Sequence, residues 1–202
     1  MACWKKYPDV NGELIQISLL RHGETEGGAC YRGRTDDQLT ATGWQQMWGA
    51  VDGAAHWPGI VSSPLSRCAS FASALAERHA IPLQFDERLR EMDFGDWEGR
   101  TAAELMATAP DDLVRFWQDP LHCSPPRGES LLSLRKRVLA AWNEIVDRQH
   151  PVLVVTHGGP IRVILNHVLD KPLERLMETN VPHAALFNLR VGKNQVRMEM
   201  AG

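Results

Sequence analysis

No stretch of this sequence is apolar for the roughly 20 residues a membrane-spanning helix needs. Met1 to Gly12 carries charge and a proline but no apolar signal core, so cytoplasm is the expected compartment. A basic excess is missing too: 22 Lys and Arg stand against 25 Asp and Glu, a net charge of −3. That leaves no footprint for nucleic acid, although a local basic cluster could still bind one small anion. Cysteine is scarce. Cys3, Cys30, Cys68 and Cys123 are widely spaced and form no Cys-x-x-Cys pair, which argues against a zinc site. They read as free thiols in a reducing compartment. Internal repeats and low-complexity segments are absent. What remains, 44% hydrophobic and 23% charged over 202 residues, is the composition of one globular domain with a substantial core.

Two stretches stand out. Leu14 to Leu20 is an apolar run that reads as a buried strand and stops at Arg21-His22-Gly23. Val152 to Val155 is a second such run and ends in Thr156-His157-Gly158-Gly159. A lone histidine at a strand end is ordinarily a satisfied surface or core residue. Two of them, each closing an apolar strand and each followed by glycine, predict imidazoles facing one another across a pocket. Gly23 lets the chain turn sharply there and lets a ligand approach the backbone.

Around these strands the chain alternates. Residues 1–13 read as a lead-in, and residues 27–40 as a loop carrying Arg32 and Arg34. Thr40 or Thr42 is a candidate N-cap for a helix running to about Ala55. Ile60–Ser62 and Leu83–Phe85 are short strands, separated by a helix that begins near Pro64 and ends near His79. Arg67 falls in its first turn, where the helix dipole disfavours a cation unless an anion is shared. Leu89 to Gly99 holds four acids among aromatics and glycines, a folded turn rather than a solvated loop.

Helices are expected around Ala102–Ala107 and Asp111–Trp117, followed by a proline-rich stretch from Pro120 to Pro126. About 93–127 interrupts the alternation and reads as an insertion covering the pocket, with Phe116, Trp117 and His122 as candidate lining. Ser130 caps a long helix whose Leu131, Leu134, Val138, Trp142 and Ile145 form a core stripe. Arg135, Lys136 and Arg137 are assigned to its solvated side. Another helix follows Gly159. Ala184–Arg190 and Gln195–Met200 read as closing strands joined by a Gly192-Lys193-Asn194 turn. The pattern predicts an α/β fold, a mostly parallel central sheet with helices on both faces, whose ligands bind at the strand C-terminal ends.

The chain resembles the histidine phosphatase superfamily, the phosphoglycerate mutase-like proteins. The likeness rests on Leu20-Arg21-His22-Gly23-Glu24-Thr25, Ser62 to Arg67, Leu89 to Gly99, Gly128-Glu129-Ser130 and Thr156-His157-Gly158-Gly159, in that order over about residues 14–200. It implies a phosphomonoesterase that works through a phosphohistidine; no carboxylate and histidine spacing resembles a metal site, so neither metal nor cofactor is expected. It places the nucleophile on His22 and the general acid on Glu91, with Glu98 as the fallback. Arg21, Arg67 and His157 carry over as phosphate ligands, a role suited to guanidinium forks. Gly158, Thr25 and Arg34 complete the expected substrate-binding set. Arg32 and Arg34 are either solvated loop charge or a lip that steers a phosphorylated substrate.

One departure is Gly28, which stands where the family commonly has asparagine. The short chain and Arg32-Gly33-Arg34-Thr35-Asp36 with Leu39-Thr40 look like the alpha-ribazole phosphatase branch, which acts in cobalamin biosynthesis. An aromatic lid of Trp97, Phe116 and Trp117 would suit a benzimidazole base by stacking. Related members act on sugar phosphates or a broad range of esters. A mutase, which the short covering stretch disfavours, and a non-catalytic binding protein are the competing functions. The expected partner is a small phosphorylated substrate, with no nucleic acid and no membrane; a homodimer stays open.

Overall fold

The computed structural model describes residues 14–54, 57–192 and 195–199. The expected lead-in, Ala55, Cys3 and the Lys193-Asn194 turn lie outside these residues. One six-stranded sheet organises the described residues, in the order β3-β2-β4-β1-β5-β6. The strands are β1 (Ile15–Arg21), β2 (Ile60–Ser62), β3 (Leu83–Phe85), β4 (Val152–Thr156), β5 (Leu186–Gly192) and β6 (Gln195–Glu199). The first four pair in parallel, and β5 and β6 run antiparallel to their neighbours. The sheet is thus mostly parallel, as the alternation of elements predicts.

Strand periodicity sends alternate side chains to opposite faces. Val152 and Val154 of β4 join the core beneath α5 (Leu131–Asp147) and α6 (Gly158–Val168). Leu153 and Val155 join the core beneath α1 (Ala41–Val51) and α2 (Ser66–His79). Both faces are therefore covered, which explains why β4 reads as an unbroken apolar run. Each large side chain such as Phe71 or Leu134, sealed from water in these layers, contributes about 1.5–3 kcal/mol. Ser18, also sealed, is tolerated in β1 because it donates to Asn188 Oδ1 at 2.7 Å and accepts from Trp57 Nε1 at 2.9 Å.

Element ends follow local chemistry. Thr40 caps α1, its hydroxyl accepting from the Gly43 N–H at 2.9 Å. The helix stops at Val51, short of the expected Ala55, and Gly53 with φ +66 turns the chain away. β5 begins at Leu186, two residues later than expected. Ala184 has φ +54, outside strand geometry, and spends its N–H on the His22 carbonyl at 3.1 Å. The covering stretch holds α3 (Ala102–Thr108), closed by a Thr101–Glu104 capping box, and α4 (Pro110–Gln118), started by Pro110. Among the described residues, Cys30, Cys68 and Cys123 are free and no helix is long and apolar enough to cross a membrane.

Candidate active site

The β1–β4 register pairs Arg21 with Thr156, so the next residues, His22 and His157, leave the sheet side by side. The His22 N–H donates to the Thr156 carbonyl at 3.0 Å and continues the pairing one step past the strand. Their rings meet edge-on with centroids 5.2 Å apart. Gly23 then passes against the backbone of Gly43 at the start of α1. A Cβ at either glycine would strike backbone, so the turn after His22 depends on both.

His22 is buried, and its Nδ1 lies 2.8 Å from the Gly23 carbonyl oxygen. A carbonyl only accepts, so Nδ1 carries the hydrogen and Nε2 keeps its lone pair. Burial, then the Arg67 and Arg21 charges, hold its pKa well below the ordinary imidazole value. Near pH 7 the ring is neutral. His157, fully buried, is held low by burial and by Arg67. Its Nδ1 accepts from Arg67 Nε at 3.2 Å, so its Nε2–H donates to Ser63 Oγ at 2.7 Å. His157 therefore packs its ring against His22 instead of facing it across a pocket, and with both ring nitrogens engaged and no place in the cavity lining it is not free to be the expected phosphate ligand.

Arg67 is sealed at the base. Besides His157 it donates to the carbonyls of Thr35 at 2.7 Å and Gly33 at 2.8 Å. Arg21 donates from Nη1 to the Val181 carbonyl at 2.6 Å, but its buried Nε has no hydrogen-bond partner. A buried, unmet guanidinium N–H is costly, and an anion in the cavity would meet it. Burial also lowers the Arg21 pKa.

Glu91 lies at the N-terminus of α6, where its carboxylate accepts from the Gly159 N–H at 3.1 Å and from its own neighbour Met92 at 2.9 Å. The point where a Cβ on Gly158 would stand is 2.9 Å from Arg162 Nη1, 3.7 Å from Arg21 Nε and 3.8 Å from Glu91 Oε2. These groups surround one spot that the glycine leaves clear.

A cavity of about 630 Å³ opens over this arrangement, lined by Arg21, His22, Thr25, Arg67, Glu91 and His183 among others. Beyond Glu91 a smaller cleft of about 90 Å³ is walled by Tyr31, Phe94, Phe116, Trp117 and Leu134. Arg162 is its cation.

Several expectations need correction. Glu98 is occupied as a staple, not a fallback acid: its carboxylate accepts from the N–H groups of Gly33, Arg34, Thr35 and Phe94 and from the Thr35 hydroxyl. Burial alone would raise its pKa, but those donors outweigh it and hold the carboxyl below its usual range. Arg34 lies outside the cavity lining, largely exposed and 3.5 Å from Asp93. Its neighbour Arg32 is the residue turned inward, donating to Asp37 at 2.5 Å and to the Thr25 hydroxyl at 2.7 Å. Trp97 is core, packed against Tyr31 and Phe116 rather than lining the lid. His122 pairs with Asp119 on the surface. Arg137 is not solvated: it ion-pairs with Glu129 at 2.7 Å and donates to the carbonyls of Arg88, Arg90 and Glu91. Gly28 has φ +66 with nothing within 4 Å of a Cβ position, so the space an asparagine would use belongs to the cavity.

Two cavity residues escaped the sequence reading. His183 approaches His22 with ring centroids 5.7 Å apart, its pKa lowered by burial and then by Arg21. It stands in a loop without a motif. Arg162 had a signal: four residues after Gly158, it shares that helix face, and helical side chains lean toward the N-terminus. Among the described residues no group of three or more His, Cys, Asp or Glu is placed to hold a metal ion.

Known proteins share this architecture. The solved structure of Bacillus stearothermophilus YhfR superposes with a TM-score of 0.84 at 31% identity, covering 91% of this chain and 95% of that one. The glucosyl-3-phosphoglycerate phosphatase of Mycolicibacterium vanbaalenii is 34% identical over 172 residues, 79% of this chain and 76% of the relative. The adenosylcobalamin/alpha-ribazole phosphatase of Escherichia coli is 28% identical over 173 residues, 83% of this chain and 85% of the relative. The profile of the histidine phosphatase superfamily (branch 1) matches residues 17–202, and the chain belongs to that family.

Proposed function

We propose that the chain hydrolyses phosphate monoesters in two steps, passing the phosphoryl group to His22 and then to water. The observation that carries this reading is the neutral His22, its Nδ1–H fixed on Gly23, beside the buried, unmet Arg21 Nε. In the first step His22 Nε2 forms a bond to phosphorus while the ester P–O bond breaks. Glu91, as the general acid, gives a proton to the leaving alkoxide, and the alcohol departs. Arg21 and Arg67 hold the charge on the equatorial oxygens. In the second step water attacks phosphorus, its proton goes to the Glu91 carboxylate, and inorganic phosphate leaves with His22 restored. No metal enters these steps, and activity is expected to survive a chelator.

Rapid mixing with a radiolabelled ester should trap label on the protein that is stable in base and lost in acid. His22→Ala should carry no label and show no turnover. Label retained by that variant would remove His22 as nucleophile.

Two leaving alcohols compete. Alpha-ribazole 5′-phosphate is supported by the likeness to the Escherichia coli enzyme and by the aromatic wall of Tyr31, Phe94 and Trp117. A phosphoglycerate ester, which carries a carboxylate, is supported by the higher identity to the Mycolicibacterium relative and by a cation, Arg162, beyond Glu91. Phosphate release from both esters, side by side, separates them.

A further inference from the structure

Among the described residues Arg162 is the one cation lining the apolar cleft beyond Glu91. Its Nε donates to the Thr179 carbonyl at 2.9 Å, which fixes the plane of the guanidinium. Among the described residues neither Nη donates to any group, and neither is a buried orphan, so both remain open to a ligand. Nη1 stands over Gly158, beside Glu91 Oε2 and Arg21 Nε. Glu91 marks the side on which the ester oxygen departs, so a group on the leaving alcohol close to that oxygen comes within reach of Arg162.

Charge points the same way. Arg21 and Arg67 line the main cavity and Arg162 the cleft beside it, three guanidiniums with no ion pair among the described residues, while Arg32, also in the cavity lining, is spent on Asp37. A phosphoryl dianion answers about two of them. A pre-oriented fork next to that surplus suits a planar carboxylate.

We propose that Arg162 sets the specificity of this site by binding a carboxylate on the leaving alcohol, the substrate being a phosphorylated hydroxy acid or its derivative. This rests on the phosphohistidine reading above.

The test uses two esters that differ only at one carbon. 3-Phosphoglycerate bears a carboxylate where glycerol 3-phosphate bears a hydroxymethyl group. The wild-type protein should favour the acid at least about tenfold in kcat/KM, the worth of one charged hydrogen-bonded contact. Arg162→Gln should bring that ratio to about one, and Arg162→Lys, which keeps the charge but not the fork, should fall between. A wild-type ratio near one, or a ratio unmoved in both variants, overturns the proposal. The ratio is read on whatever activity remains, so a general loss of rate does not obscure it. Hydrolysis of both esters retained by His22→Ala would instead sink the phosphohistidine reading.

Discussion

At the scale of single residues the site is defined by charges kept apart from water. His22, His157 and His183 all have pKa values pushed below the ordinary imidazole value, by burial first and by guanidiniums after it. Unfolded, each titrates near 6.5. As pH falls through that value the unfolded chain takes up protons that the folded one refuses, so stability present above it is lost below it. Each full unit of depression is worth about 1.4 kcal/mol. Tm should therefore drop between pH 7.5 and pH 5, and His22→Ala should narrow the drop; an unchanged interval would mean that His22 titrates normally. Arg21 sets up the opposite sensitivity, to anions. Its unmet Nε predicts that inorganic phosphate raises Tm, by about 2.7 kcal/mol of stability at one hundred times Kd. Arg21→Gln should blunt that rise in a thermal-shift titration.

At the scale of elements, two loops are pinned by side chains that the sequence reading placed elsewhere. The carbonyls of Arg88, Arg90 and Glu91 all rest on Arg137, itself held by Glu129. That gives the Gly128-Glu129-Ser130 motif a physical role: it anchors the clamp that aims Glu91. Glu91→Gln should slow alkyl phosphates far more than p-nitrophenyl phosphate, whose leaving group needs little protonation. Equal losses on both would count against the acid role. Arg137→Ala should cost about 1–3 kcal/mol of stability and lower kcat on alkyl phosphates with KM little changed. A variant that loses stability while keeping its leaving-group profile would show the clamp to be structural alone. On the other side of the cavity Glu98 gathers the N–H groups of residues 33–35 while Arg67 takes the carbonyls of Gly33 and Thr35. One short loop is thereby stitched between an anion and a cation.

At the scale of the whole molecule, the strands, the caps at Thr40 and Ser130 and the His22–His157 pairing were legible because each is written locally. Apolar runs, a capping residue and a following glycine lie within a few positions of one another. Arg137, Trp97 and Glu98 were misplaced because their partners are distant in sequence: Arg137 reaches back 46 residues to the Glu91 carbonyl and Glu98 reaches 65 to the Gly33 N–H. Periodicity reports which side of a helix a residue occupies, not what another loop brings to it. His183 belongs to the same class, carried in beside β1 by the turn at Ala184.

The place of β1 in the sheet has a consequence for synthesis. It is synthesised before the other five described strands, yet it lies between β4 and β5, both made long after it. Until residue 156 has emerged, both of its hydrogen-bonding edges stay open, an invitation to pair with another nascent chain. His22 is likewise translated long before Thr156, whose carbonyl aligns it, so the nascent polypeptide carries that imidazole unaligned until residue 156 has emerged.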